Sequence, residues 1–462
     1  MSSSASRSSS GAPRRPPSEP ERIARLPEQY FTALLARVAA AAAAEVGEPL
    51  VDLGRGNPEI GPPAHVIEAL AESAARPDVH GYAPFAGLPA LKDAIAARYA
   101  DVYGVELDPR REVAVLPGTK TGLMEFALCA VEHGGTIVLP DPGYPDYFSA
   151  VALAGAEVAS FSGWDVSGNA MYLNFPANPT ATAAPDGVFD EAVEWARRND
   201  AWVMHDFAYG DLVFDGRRPQ SFLAAEGARE VGIELFSMSK SYGMAGWRLG
   251  FALGNAQLVR RMETLQDHAF AGIFRPVQEA GIAALTGPQG SVEERRATYE
   301  RRRDRALDVL RGLEARSEGT FFVWFRLPEG VTVERILGEQ RVALAPGEGF
   351  GPRGRAGLGC RSPSATRRSS SDWRGSDLRY LGLADAVRRD LGRQHLFLDP
   401  VCVLEQVGVG RRQLQPDAVG QLETGVLAHR VHAVDQLVDA ALTAQLVVEP
   451  RRHRNRDRVV GG

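Results

Sequence analysis

The sequence predicts an α/β fold in which a large domain built on a mainly parallel sheet is joined to a smaller α+β domain. Three observations predict it. Short apolar runs alternate with helical stretches through the middle of the chain. Each run ends in polar or turn-forming residues, at the strand ends where ligands meet a sheet of this kind. And 462 residues with 44% hydrophobic content are too many for one small domain and enough for a large core plus a second one.

In chain order, the opening MSSSASRSSSGAPRRPP is rich in Ser, Arg and Pro and free of acids. It reads as a disordered leader, carried to residue 22, with an organellar transit peptide as the other reading. Helical patterning begins at Glu21 and is broken by VDLGRGNPEIGPP, whose glycines and prolines make an irregular segment. Between Leu88 and Tyr103 the apolar positions Leu91, Ile95, Tyr99 and Val102 mark an amphipathic helix, with Gly104 as its stop. Strands follow at VAVL, TIVLP, MYLNF, WVM and ELF, separated by helices such as Gly122 to Glu132 and Phe189 to Arg198. After about Ala283 the charged stretch EERRATYERRRDRALDVLRGL predicts a helix whose arginine run is a solvated face. GTFFVWFRL and RVALAPGEGFG read as strands of the smaller unit. From Arg353 the texture changes to RGRAGLGCRSPSATRRSSSDWRGSD, without periodicity.

Composition narrows the function. A net charge of −6 and a pI near 5.9 provide no overall basic field, so no nucleic-acid partner is expected. The three cysteines, Cys129, Cys360 and Cys402, show no CxxC spacing. Disulfides and a thiolate metal site are therefore not expected, and the expected compartment is reducing, that is, cytoplasmic. The Ala-rich stretch from Leu34 to Val46 is interrupted by Arg37 and Glu45 and is too short for a bilayer, so no membrane span is expected.

The chemistry concentrates in SMSKSYGMAGWRLG, Ser237 to Gly250, directly after a strand. Ser237 and Ser239 can donate hydroxyl hydrogen bonds, Arg248 can pair with a phosphate through its fork, and Lys240 supplies an amine for a carbonyl carbon. A second phosphate-binding candidate is Gly118-Thr119-Lys120, between VAVL and the next helix, where backbone N–H groups point outward.

With S-x-S-K followed by G-W-R-x-G, the chain resembles the class I/II, or fold-type I, aminotransferases. The resemblance runs from about Arg25 to Gly351 through GRGNPE, HGYAPFAGLPALKDAIA, PGTKTG, PDPGYPDY, NFPANPT, HDFAYGDLVFDG and GTFFVWF. It implies pyridoxal 5'-phosphate (PLP) carried by Lys240 as a Schiff base. It implies that Asp206 pairs with the protonated ring nitrogen, while Tyr209 and Asn178 bond the ring's phenolic oxygen. Tyr144 would stack on the ring, and Gly56, Asn57 and Asn178 would lie at the substrate. Tyr82 would reach the phosphate of a second subunit, which implies a homodimer with a shared active site. The implied reaction is a ping-pong transfer in which a donor displaces Lys240, the freed amine moves the α-proton, and an acceptor 2-keto acid reverses the steps. GRGNPE, LPGTKTG and PDPGYPDY look most like the diaminopimelate and N-succinyl-diaminopimelate aminotransferases, with L-glutamate as the usual donor. On this basis residues 1–22 are leader, 23–58 an arm with part of the small domain, 59–285 the large PLP-binding domain, 286–352 the small domain and 353–462 an atypical tail.

Two departures stand out. Ala181 follows Asn178-Pro179-Thr180 where the family has glycine, so a left-handed backbone there costs about 1 kcal/mol or more. The family's strand bearing a carboxylate-clamping arginine is not recognisable; Arg361 stands at the right distance but outside any apolar alternation. The expectation is a reading-frame shift between Arg353 and Gly359, with a genuine added domain, including a helix over HRVHAVDQLVDAALTAQLVV, as the other reading. A carbon–sulfur β-lyase and a cofactor-binding but catalytically impaired homologue are the competing functions.

Overall fold

The computed structural model describes residues 18–44, 50–54, 56–310, 313–327, 331–356 and 402–405. The strands are β1 (Val51–Asp52), β2 (Val113–Leu116), β3 (Thr136–Leu139), β4 (Glu157–Ser160), β5 (Ala170–Asn174), β6 (Trp202–Phe207), β7 (Gly232–Ser237), β8 (Gly250–Gly254), β9 (Ala315–Arg316), β10 (Val323–Arg326), β11 (Val342–Ala343), β12 (Ala345–Pro346) and β13 (Cys402–Glu405).

Seven of these form one sheet in the order β2-β8-β7-β6-β5-β3-β4. The neighbours from β7 through to β4 pair in parallel, and β8 runs antiparallel to both β2 and β7. Alternation assigns the faces: Val113, Val115, Leu173, Val203 and Phe236 join one apolar cluster, while Ala114, Leu116, Tyr172, Met204 and Leu235 join the other. Helices cover both faces, so the strands read as continuous apolar runs in the sequence. Each fully buried Leu or Phe there contributes about 1.5–3 kcal/mol. The edge strand β4 was not anticipated, because EVAS has no apolar run; its residues are largely exposed.

The helix expected from Leu88 spans Pro89–Tyr103 and ends on Gly104 at φ 68°. Val102, read as part of its apolar face, is instead 43% exposed. Tyr103 is buried in its stead, with its hydroxyl donating to Asp211 Oδ1 at 3.0 Å. A one-turn helix over Glu21–Ala24 takes in the last two residues of the expected leader, whose first seventeen lie outside the described residues.

The charged helix spans Gly290–Val309, and its arginine run is not simply a solvated face. Arg295 and Arg303 are buried. Arg295 donates to the carbonyls of Gly61 and Ile60 at 2.8 and 3.2 Å and to that of Ser241, and Arg303 pairs with Asp215 at 2.6 Å. Long stems cover apolar surface here while the guanidinium heads satisfy carbonyls that packing removes from water.

A four-stranded sheet, β12-β13-β10-β9, and the parallel pair β1-β11 make up the smaller unit's strands. β13 comes from the region expected to be an atypical tail and lies between β10 and β12, parallel to both. The frame-shift interval from Gly357 onward, Arg361 and the HRVHAVDQLVDAALTAQLVV stretch lie outside the described residues. Ala181 has the expected left-handed backbone, with φ 52°.

Candidate active site

The carboxyl ends of β5, β6 and β7 open into a cavity of about 460 Å3. β7 delivers Ser237, and one turn of helix, Met238–Ser241, carries Ser239 and Lys240 into it. Ser237 begins that turn because its Oγ accepts the Ser239 N–H at 3.2 Å. The Lys240 amine donates to the Gly56 carbonyl at 3.1 Å and sits 4.9 Å above the Phe321 ring and 5.8 Å from that of Tyr209.

Asp206 stands near the end of β6, buried beneath this amine's cavity. Its carboxylate accepts the Tyr147 hydroxyl at 2.8 Å and the Ala208 N–H at 3.2 Å. Burial raises its pKa above the usual carboxylate range, against the opposing pull of Tyr147, Ala208, His205 and Lys240. Tyr209 and Tyr144 are held protonated by burial and then by neighbouring acids, Asp206 for the first and Asp146 for the second. Both phenols are therefore hydrogen-bond donors at neutral pH.

At the other end, Gly118 at φ 86° precedes the helix Thr119–Ala130. A Cβ at Gly118 would lie 2.0 Å from an Arg248 guanidinium nitrogen, so with any other residue, already strained at this φ, the guanidinium would have to shift from its place over the helix N-terminus. Arg248 is itself left-handed, at φ 56°. The Lys120 ammonium is engaged by Asp146 at 2.9 Å.

Gly56, Asn57, Thr119, Lys120, Tyr144, Asn178, Asp206, Tyr209, Ser237, Ser239, Lys240 and Arg248 thus line one cavity, as the sequence brought them together. Tyr82 does not join them; it is 88% exposed. Arg361 lies outside the described residues. Sequence reasoning missed Tyr147, the partner of Asp206, although PDPGYPDY contains it. It also missed the apolar wall of Phe31, Leu34, Leu35, Phe322 and Phe350, which carries no polar motif to flag it.

The donor set fits PLP. Two serine hydroxyls, a guanidinium and helix N–H groups converge where a phosphate would sit, over a glycine whose missing Cβ makes the room. A buried carboxylate suits a cationic ring nitrogen, which would supply the positive partner that burial penalises it for lacking.

The comparisons with known proteins agree. The sequence pattern of the family described as Aminotransferase class I and II matches residues 48–367. The chain is 42% identical over 352 residues to the L-glutamine–4-(methylsulfanyl)-2-oxobutanoate aminotransferase of Bacillus subtilis, covering 71% of this chain and 88% of that protein. It is 40% identical over 359 residues to the LL-diaminopimelate aminotransferase of Moorella thermoacetica, covering 73% and 92%. The substrate-bound structure of BacF from Bacillus subtilis superposes with a TM-score of 0.69 at 34% identity, over 73% of this chain and 91% of BacF.

Proposed function

This chain belongs to the aminotransferase class I and II family and is a PLP-dependent aminotransferase, and from that premise we propose that it moves the amino group of L-glutamate to a 2-keto acid. The observation that carries the reading is the Lys240 amine at the centre of the cavity, with the buried Asp206 carboxylate and the Arg248–Gly118 cradle on either side.

Bound there, PLP supplies an aldehyde for an amine and a ring that withdraws electrons from the carbon losing its proton. Asp206 would keep a proton on the ring nitrogen by offering it a charge partner inside the protein. Tyr209, kept a phenol by burial, would donate to the ring's oxygen together with the Asn178 amide. Lys240 takes the proton from the substrate's α-carbon and returns it nearby, since its flexible stem allows the amine to swing between two atoms. Phe31, Leu34 and Phe350 make one wall of the cavity apolar, which lowers the water content around that transfer.

Two acceptors are supported by different observations. The likeness to the LL-diaminopimelate aminotransferase supports the 2-keto acid that corresponds to diaminopimelate. The wall of Phe31, Leu34, Leu35, Phe322 and Phe350 favours a keto acid with an apolar side chain, such as the 4-(methylsulfanyl)-2-oxobutanoate named for the Bacillus subtilis relative. A second copy of the chain is the proposed partner, supported by the exposed aromatics Tyr82, Phe85, Phe270 and Phe274, and the proposed compartment is the cytoplasm.

The test is the visible absorbance of the chain with PLP before and after L-glutamate or L-glutamine, with Lys240→Ala alongside and both keto acids as acceptors. A Lys240-dependent band that changes with the donor and is restored by the apolar keto acid upholds the reading. Pyruvate and ammonia released from cystathionine would replace it with a β-lyase, and a band that ignores every donor would leave a cofactor-binding protein without turnover.

A further inference from the structure

Two buried polar residues that no role above uses lie directly behind the site. Asn174 is the last residue of β5 and pairs across the sheet with Asp206, while Leu173 pairs with His205. The Asn174 amide group is buried and fully engaged: Nδ2 donates to the Asp206 carbonyl at 2.8 Å, and Oδ1 accepts the Asn178 N–H at 2.6 Å. One side chain therefore ties together the backbones of the two residues that would hold opposite ends of the cofactor ring.

His205 is fully buried and anchors the segment between them. Its Nδ1 lies 2.7 Å from Glu234 Oε2, and its Nε2 lies 3.1 and 3.2 Å from the carbonyl oxygen and the amide nitrogen of Phe175. Glu234 is fixed in turn, accepting from the Tyr99 hydroxyl at 2.7 Å, the Ser221 hydroxyl at 2.8 Å and the Phe222 N–H at 2.8 Å. A purely structural core would bury apolar groups here at lower cost, because each polar atom left unmatched is expensive.

The geometry points to Asn174 and His205 as positioning residues that set the separation of Asp206 from Asn178, and with it the cofactor's charge state. This rests on the PLP reading of the site. Asn174 contacts both anchors and carries the larger share; His205 acts through Phe175 and the residues leading to Asn178.

The experiment compares Asn174→Ala and His205→Gln with the full-length chain and with Val259→Ala, a core change in the helix Ala256–Ala269 away from the site. The readouts are PLP affinity, the pH midpoint of the bound cofactor's visible band, and hydrogen exchange at residues 175–180 without added cofactor. Asn174→Ala is expected to move the midpoint by about half a pH unit or more and to weaken PLP about tenfold. His205→Gln should move both in the same direction by less, and Val259→Ala should lower thermal stability while leaving the midpoint in place. Exchange at the Ala177 and Asn178 amides should be about tenfold faster in Asn174→Ala. An unchanged midpoint, or unchanged exchange, in a folded Asn174→Ala overturns the assignment. If that variant does not fold, an unchanged midpoint and exchange in His205→Gln overturn it. An unmodified chain that shows no band refutes the PLP reading instead, and the exchange measurement still decides whether the brace exists.

Discussion

The seven-stranded sheet and the four-stranded one are built to different standards. β5, β6 and β7 run for five, six and six residues, buried almost throughout, and the site hangs directly from their ends. In the smaller sheet, β9 and β12 are two residues each, and β13, which lies between β10 and β12, comes from beyond residue 367, where the family match stops. Cofactor binding thus rests on a scaffold with both faces packed, while the neighbouring unit depends on a segment the family pattern does not cover. The contrast is open to test by perturbing one region and reading the other.

Replacing Lys240 by alanine is the most severe way to sharpen that contrast. Transfer from L-glutamate should fall on the order of ten-thousand-fold, with the cofactor's covalent band lost and the melting temperature nearly unchanged. Asp206→Asn keeps the shape but removes the charge; a loss of roughly 10²–10³-fold in turnover is expected, read from single-turnover kinetics. Wild-type rates in that variant would show that the ring nitrogen needs no carboxylate.

Within the large unit, Glu125 is buried against Gln266, and burial pushes its carboxyl up to about 7. Its folded value lies above its unfolded one, so its contribution is complete below about pH 4.5 and is lost as pH rises through 7. The chain should lose about 3 kcal/mol of stability across that window, and Glu125→Gln should flatten the loss. Denaturant melts at pH 5 and pH 8 check this; parallel curves for both proteins would refute it.

Val403→Pro removes a ladder N–H from β13 and should cost the smaller unit about 1–3 kcal/mol, seen as an early melting phase or faster proteolysis. PLP affinity should survive, and its loss would merge the two regions into one cooperative unit. The smallest effect is expected at Ala181, which packs with Tyr209 and Phe321 where the two regions meet. Relief of its left-handed strain in Ala181→Gly, about 1–2 kcal/mol, is offset by about 0.8 kcal/mol of lost methyl burial and by glycine's extra freedom when unfolded. The melting temperature should barely move.

What the sequence disclosed follows the same division. In the large unit, alternation and motif agree: Asp206 and Ser237 stand at the ends of apolar runs, while Gly56, Asn57 and Arg248 were legible from motif alone. Arg295 was not, since its partners are the carbonyls of residues 60, 61 and 241, which no local pattern reveals. Asn174 and His205 lie inside quoted motifs, yet their work is done on backbone atoms, which leave no mark in a one-dimensional pattern. Val102 was misplaced because a helical period alone does not distinguish it from Tyr103, whose hydroxyl finds Asp211.

The closure of Arg248 over Gly118 also bears on how the chain reaches its final state. The two residues, at positions 118 and 248, meet only once β8 has slotted between β2 and β7. That pairing joins residues far apart in the sequence, so the anion cradle exists only in the assembled sheet. A phosphate-bearing ligand that binds only the assembled cradle therefore stabilises the folded chain by mass action, as a latch on the finished sheet.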